Sequence, residues 1–253
     1  MSTLVVIPAR LGATRLPRKP LRLLGGVPLV LRVWERVAAL GVADRCVIAT
    51  DSQDVAEVAA AAGAEAVLTA ARHPSGTDRV AEVAAMRAFH EHEVIVNVQG
   101  DEPFVPDAAV LGATSLVRDG RFPLGTACAA ASADALRSPN VVKVVCAEDG
   151  RAMYFSRAPI PFLRDGAEAS LLRSTARQHI GVYAYTRDAL ARWVALPQHP
   201  LERIERLEQL RPLAAGLAMG AAEIDGAAPL GIDTEDDLAR ANAQWPHFVA
   251  GRA

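Results

Sequence analysis

Lysine is nearly missing from this chain of 253 residues: 27 positions are Lys or Arg, and only Lys19 and Lys143 are lysine. A chain that writes almost every cation as arginine keeps lysine in two places; chance accounts for this, and so does a compact ammonium beside a phosphate. Long apolar runs are missing as well. None approaches the roughly 20 residues of a membrane span, so no membrane association is expected. No charged start followed by an apolar stretch suggests a signal peptide. Cysteine is sparse. Cys46, Cys128 and Cys146 lie in apolar, strand-like runs without CxxC or metal-ligand spacing, which predicts buried thiols in a reducing cytoplasm. A strongly basic balance is lacking: the formal charge is -2, which argues against nonspecific nucleic-acid binding by the whole molecule. Internal repeats and low-complexity linkers are absent too. What remains, at 51% hydrophobic content, is enough for a large core in one domain or one domain carrying an insert.

Acidic residues are absent before Glu35, and the cations of that region are concentrated in one place. Leu4 to Ile7 is an apolar, β-branched run and reads as a buried strand. Pro8 stops it. A loop with Arg10, Arg15, Arg18 and Lys19 follows, with Gly12 for backbone freedom and Pro17 and Pro20 stiffening the exit. A cationic loop at the carboxyl end of a buried strand is a phosphate site by its chemistry and by its place in an open α/β sheet. The bland account is a solvated basic loop.

Strand and helix then alternate. Helices are predicted at Pro28 to Leu40, from Asp51 or Ser52 to Ala62, from about Asp78 to His90 and from about Asp107 to Arg118. Strands are predicted at Arg45 to Thr50, Glu65 to Thr69 and Glu93 to Val98. Gly41 and Gly63 stand where helices end. Four such alternations predict an α/β fold with a mostly parallel sheet and helices on both faces. Right-handed crossovers put the ends of the first and fourth strands on one rim. The second half changes style. Strands are expected at Leu124 to Ala131, Val141 to Cys146, Arg151 to Arg157 and His179 to Thr186, with a hairpin turn at Glu148-Asp149-Gly150. A polar loop is expected up to Gln178. A helix is expected over Leu201 to Ala215, short strands near Leu217 to Ile224 and Leu230 to Ile232, and a last helix over Glu235 to Ala243. The whole chain reads as one domain, with an insert at about 124–186.

Asp101, in QGDEP, and Asp233, in GIDTEDDL, both follow predicted strands. Two carboxylates meeting over the rim beside phosphates suit Mg²⁺, which takes a few carboxylate oxygens and completes its octahedron with water and phosphate. Taken alone, Asp233 reads first as the N-cap of the last helix. Gly100 beside Asp101 leaves room for close approach of a ligand. The loop HPSGTDR offers hydroxyls, a glycine and a cation that would suit a base or ribose, but as an isolated motif it reads first as a capped loop. Arg157 and Arg164 flank the prolines of APIPFLR and would clamp a second anion such as a sugar carboxylate. His179, Tyr183, Glu208 and Gln209 are polar groups on otherwise apolar elements. A satisfied strand-end histidine and a solvated helix face are the plain alternatives.

Together the motifs IPAR…TRLPRKPL, IATD, SGTDR, VNVQGDEP, NVVKVV, YFSRAPIP, HIGVYAY, LERIERLEQLR and GIDTEDDL resemble, in order and from Ile7 to about Leu238, the CMP-Kdo synthetases, or 3-deoxy-manno-octulosonate cytidylyltransferases. Glu235 stands where that family often has proline. The resemblance implies a Rossmann-like nucleotidyltransferase fold with an antiparallel insert that contributes to the sugar pocket and to a homodimer contact. It implies a reaction in which the anomeric hydroxyl of Kdo attacks the α-phosphate of CTP with Mg²⁺, giving CMP-Kdo and pyrophosphate for the lipopolysaccharide inner core. Carried onto this sequence, Arg10, Arg15 and Lys19 would hold the triphosphate, and Ser75, Gly76, Arg79 and Gln99 would select cytosine and ribose. Asp101 and Asp233 would bind the metal. Lys19, Arg10, Asp101 and Asp233 would carry catalysis, and Arg157, Arg164, His179, Tyr183, Glu208 and Gln209 would line the sugar pocket. The rival readings are the same chemistry on 8-amino-Kdo or a sialic acid, a sugar-1-phosphate nucleotidyltransferase, and a catalytically silent nucleotide-binding protein.

Overall fold

Thr3–Ala9 forms the first strand in a computed structural model that describes residues 1–12, 15–164, 169–226 and 231–250. Leu4, Val5, Val6 and Ile7 are fully buried, as an unbroken β-branched run in a parallel sheet must be. The strand pairs in parallel with Arg45–Thr50, from Leu4 opposite Arg45 to Ala9 opposite Thr50. Arg45–Thr50 pairs in parallel with Glu65–Leu68. The helices Leu29–Ala38, Gln53–Ala61 and Gly76–Ala85 connect and follow these strands. Gly41 and Gly63 take positive φ just past the first two helices, where a Cβ would be strained.

The chain's contacts divide it into two compact units. One holds Ser2–His92, Asn97–Phe104 and the described residues from 231 onward. A core cluster of this unit gathers Leu16, Leu24 and Leu29 with Ile232, Leu238, Ala241 and Trp245. Phe104 meets Trp245 edge-on, with ring centres 5.7 Å apart, and the Arg32 guanidinium lies 4.9 Å over the Trp245 ring. The last helix, Glu235–Ala250, is thus a core element of this unit and runs beyond the expected Ala243.

The other unit comprises Glu93–Val96 and the described residues from 105 to 226. Its helix Asp107–Arg118 has the expected limits. Arg177–Thr186 runs antiparallel to both Leu124–Ala130 and Lys143–Cys146, and Lys143–Cys146 runs antiparallel to Ala152–Ser156. Met219–Ile224 joins Leu124–Ala130 in parallel. The turn at Gly150 is closed by the Gly150 N–H donating to the Ala147 carbonyl at 3.0 Å. Lys143 is fully buried. Its ammonium donates to the carbonyls of Ser138 at 2.9 Å, Val141 at 2.7 Å, and Arg157. It therefore ties the turn Ser138 to Val141 to the backbone at Arg157 and meets no acidic group in those bonds.

Three expectations give way here. The helix over Leu201 to Ala215 is two short helices, Pro200–Glu205 and Leu210–Ala214. Arg206 takes φ 53° between them, and a buried, two-pronged pair from Arg211 to Glu202, at 2.6 and 2.8 Å, straps the halves together. The polar loop before Gln178 contains the helix Ala169–Thr175, while residues 165–168 lie outside the described set. No strand forms at Gly231–Ile232, and Leu230 also lies outside that set. Of the three free cysteines only Cys128 is buried; Cys46 and Cys146 are half-buried. Burial still pushes the Cys46 thiol up to about 12.

Candidate active site

Three stretches of the first unit converge at the carboxyl ends of its strands. Pro8 to Arg10 with described residues from Arg15 to Pro20, lining residues from His73 to Arg79, and Gln99 to Asp101 together with Asp233 enclose a cavity of about 270 Å³. The Val98 N–H donates to the Val6 carbonyl at 3.2 Å, which sets the QGDEP turn beside the start of the cationic loop. Gly100 is required there for a reason the sequence did not disclose: a Cβ would stand 2.8 Å from the Pro8 carbonyl oxygen.

Lys19 is the centre of the site. It lies in a 3₁₀ turn, Lys19–Leu21, and is 9% exposed. Its ammonium bonds to the Asp101 carboxylate and, at 2.9 Å, to Asp233 Oδ1. Burial disfavours its charged form, but the charges and hydrogen bonds of Asp101 and Asp233 outweigh that and hold its pKa above the usual lysine value. Arg15 pairs with the other Asp233 oxygen at 3.0 Å. The Ile232 N–H donates to the Asp101 carbonyl at 3.3 Å, so the backbone also joins the two carboxylates. The capping account of Asp233 fails. Thr234 Oγ1 accepts from the Asp237 N–H at 3.2 Å, and the Asp237 carboxylate accepts from the Asp233 and Thr234 N–H groups. The helix start is satisfied without the Asp233 side chain, which is left for Lys19 and Arg15.

Opposite, Ser75 accepts from the Asp78 N–H at 3.3 Å and caps the helix Gly76–Ala85. The capped-loop account of HPSGTDR is therefore correct, and the same turn walls the cavity. A Cβ on Gly76 would meet Gln99 Oε1 at 3.4 Å, so the glycine lets these two stretches approach. Arg79 lines the cavity but is 3% exposed. Its guanidinium donates to Thr69 Oγ1 and, at 3.2 Å, to Asp51 Oδ2. Arg10 is exposed at the mouth, while Arg18 turns to Asp54 at 2.7 Å.

Sequence reasoning passed over three residues here. His73 lines the cavity and donates to Glu82. Burial works against the Glu82 carboxylate, yet the bonds from His73 and the Ala70 N–H hold it below the usual range. Asp51, at the end of IATD, is the third. The signals for it in the sequence are an acid directly after a buried strand and its place at the end of the IATD motif, and neither assigns it to the site.

A cytidylyltransferase family model matches residues 4–221. The chain is 62% identical to the 3-deoxy-manno-octulosonate cytidylyltransferase of Gemmatimonas aurantiaca over 97% of its own length and 95% of that protein. The chain belongs to the 3-deoxy-manno-octulosonate cytidylyltransferase family. The protein of the same name from Herminiimonas arsenicoxydans is 46% identical, over 95% of this chain and 97% of that one. Among solved structures, a CMP:2-keto-3-deoxy-manno-octonic acid synthetase complexed with CTP superposes with a TM-score of 0.90 at 36% identity, covering 98% of this chain and 99% of that one. A cytidylyltransferase from Leptospira borgpetersenii, at 16% identity and a TM-score of 0.62 over 98% of this chain and 87% of that one, shares the fold. The chain is thus a nucleotidyltransferase of the expected α/β class.

The residues that the family resemblance assigns to the sugar all lie in the second unit. His179 is packed against Phe155 and Tyr183, with ring centres 5.0 and 5.5 Å away, and its Nε2 pairs with Thr126 Oγ1 at 2.8 Å. Burial pushes its pKa down to about 3, so this member is neutral near pH 7. Tyr183 is buried against Trp193, and Gln209 is buried at the start of the helix Leu210–Ala214. Glu208 beside it is half-buried. Arg157 donates through its backbone N–H to Glu205 Oε2 at 2.9 Å, and through its guanidinium to the carbonyls of Glu205 and Pro139. Arg164 is exposed.

Proposed function

We propose that this cytidylyltransferase couples CTP to Kdo, releasing pyrophosphate and forming CMP-Kdo for lipopolysaccharide inner-core synthesis, and that it works as a cytoplasmic homodimer. The observation that carries the reading is the cavity in which one buried ammonium bridges two carboxylates beneath a cationic loop. A triphosphate needs charge neutralisation and in-line placement more than covalent help. Arg10, Arg15 and Lys19 provide the cations. The Ser75–Gly76 turn, Arg79 and Gln99 form the wall suited to cytosine and ribose. The anomeric oxygen forms a bond to the α-phosphorus, the bond from that phosphorus to the bridging oxygen breaks, and the hydroxyl proton is lost. Lys19 and the arginines stabilise the charge that develops on the departing pyrophosphate.

Asp101 and Asp233 fit a hard divalent cation. Both already turn their oxygens to one positive charge, and Mg²⁺ takes a few carboxylate oxygens and fills its octahedron with phosphate and water. When bound, the ion supplies charge neutralisation at the α-phosphate and lowers the pKa of a coordinated hydroxyl. Arg157 and Arg164 would receive the sugar carboxylate, and His179, Tyr183, Glu208 and Gln209 its hydroxyls.

The deciding assay is pyrophosphate release from purified protein with Mg²⁺ and each of the four nucleoside triphosphates, with and without Kdo. Release confined to CTP plus Kdo is expected. Release with CTP and another acidic sugar, 8-amino-Kdo or a sialic acid, would keep the mechanism and change the acceptor. CTP binding without release with any sugar would leave a silent nucleotide-binding protein.

A further inference from the structure

Resting on the nucleotide reading of the cavity, we infer that Asp51 is the positioning residue of the triphosphate site. It ties the cationic loop and the buried Arg79 into one frame. Its two oxygens are divided between the two walls. Oδ1 accepts the Leu11 N–H at 3.1 Å, inside the loop that follows the first strand. Oδ2 accepts the Arg79 guanidinium at 3.2 Å, on the helix Gly76–Ala85. Asp51 itself is not among the described residues that line the cavity, and a carboxylate aimed at a triphosphate would repel it. Its effect on a nucleotide therefore passes through the groups it holds.

Charge makes the arrangement consequential. The Arg79 side chain is 4% exposed and that of Asp51 16% exposed. A guanidinium so nearly dry is costly without a counter-charge. Thr69 Oγ1, its other partner, donates in turn to the Thr50 carbonyl at 3.0 Å and is neutral. Asp51 is thus the carboxylate that accepts from the Arg79 guanidinium and aims it. Its position is set by Thr50 and Ser52: the strand Arg45–Thr50 ends directly before it, and the Ser52 N–H donates to Thr50 Oγ1 at 3.2 Å. Ser52 occupies the helix N-cap without a side-chain capping bond, so the chain places neither Asp51 nor Ser52 in the capping role expected from sequence.

The test is CTP affinity, measured by calorimetry on the full chain with Mg²⁺ and no sugar, for wild type, Asp51→Ala, Asp51→Asn and Asp44→Ala. Asp44 is the structural control. It accepts the Thr3 N–H at 2.7 Å, at the strand end remote from the cavity. Asp51→Ala is expected to weaken CTP binding about tenfold or more, from a lost charged hydrogen bond and a misaligned guanidinium. Asp51→Asn keeps an oxygen for Leu11 but loses the charge facing Arg79, and is expected to fall between, at about threefold or more. Asp44→Ala is expected to lower the melting temperature and leave CTP affinity unchanged. Wild-type affinity in Asp51→Asn overturns the inference, even if Asp51→Ala fails to fold. Equal weakening by Asp44→Ala also overturns it, because the effect would then be general destabilisation. Failure of the wild type to bind CTP is a different result and overturns the nucleotide reading itself.

Discussion

At the scale of single residues, Lys19 is where stability and chemistry meet. If it neutralises charge on the departing pyrophosphate, Lys19→Ala lowers kcat by roughly 10²-fold, the usual cost of one lost transition-state donor; rapid-quench turnover measurements check this. Its raised pKa has a separate consequence. The stabilisation it brings is complete below the ordinary lysine value of 10.5 and is lost as pH rises through the higher folded value. Urea titrations on the alkaline side should therefore show a steeper loss of stability in wild type than in Lys19→Met. His179 behaves in the opposite way. Its folded pKa of about 3 lies below the ordinary 6.5, so the unfolded chain takes up a proton first as pH falls between these values. Stability should drop by at most about 1.4 kcal/mol per pH unit from this group. His179→Gln, which retains a hydrogen-bonding group for Thr126, should show a shallower acid slope in the same titration.

Among the elements, the strands of the second unit are joined by one buried lysine. The Lys143 ammonium satisfies three carbonyls around the strands Lys143–Cys146 and Ala152–Ser156. Burial, then the nearby Arg157, pulls its pKa below the usual value, but the carbonyl bonds still require a donor. Lys143→Met keeps the stem and removes the ammonium. It should cost at least about 2 kcal/mol, since a buried acceptor left unsatisfied costs roughly 1–3 kcal/mol, and the drop should appear as a lower midpoint in denaturant. The two lysines that composition singled out thus do different work: Lys19 holds carboxylates and Lys143 holds backbone. Composition marks both as special without saying why, because the Lys19 partners come from distant stretches of chain and the Lys143 partners are backbone carbonyls that carry no sequence signature.

At the scale of the whole molecule, the unit that holds the cavity is assembled from three stretches of chain, and the last of them brings both Asp233 and the Trp245 core. Trp245 is 8% exposed. Trp245→Ala should cost about 3–5 kcal/mol, as other large aromatic truncations do, with CTP binding lost together with the fold of this unit in thermal melts. Much of the architecture was legible without coordinates, because it rests on local pattern. The β-branched run of Leu4 to Ile7 can only be a buried strand, the helix Asp107–Arg118 follows from its periodicity, and glycines stand where helices stop. Where local pattern admits two answers, tertiary structure decided. LERIERLEQLR has the period of one helix, but the buried Glu202–Arg211 pair forms only across a break at Arg206. Asp233 reads as the cap in sequence, but its carboxylate went to the neighbouring ammonium and Thr234 took the helix start. The sequence alone determined the strand–helix alternation, the cationic loop and the family. Which side chains face one another across that loop was settled only by folding, because burial and charge pairing between Lys19, Asp101 and Asp233, or between Asp51 and Arg79, are properties of distance in space that no spacing along the chain encodes.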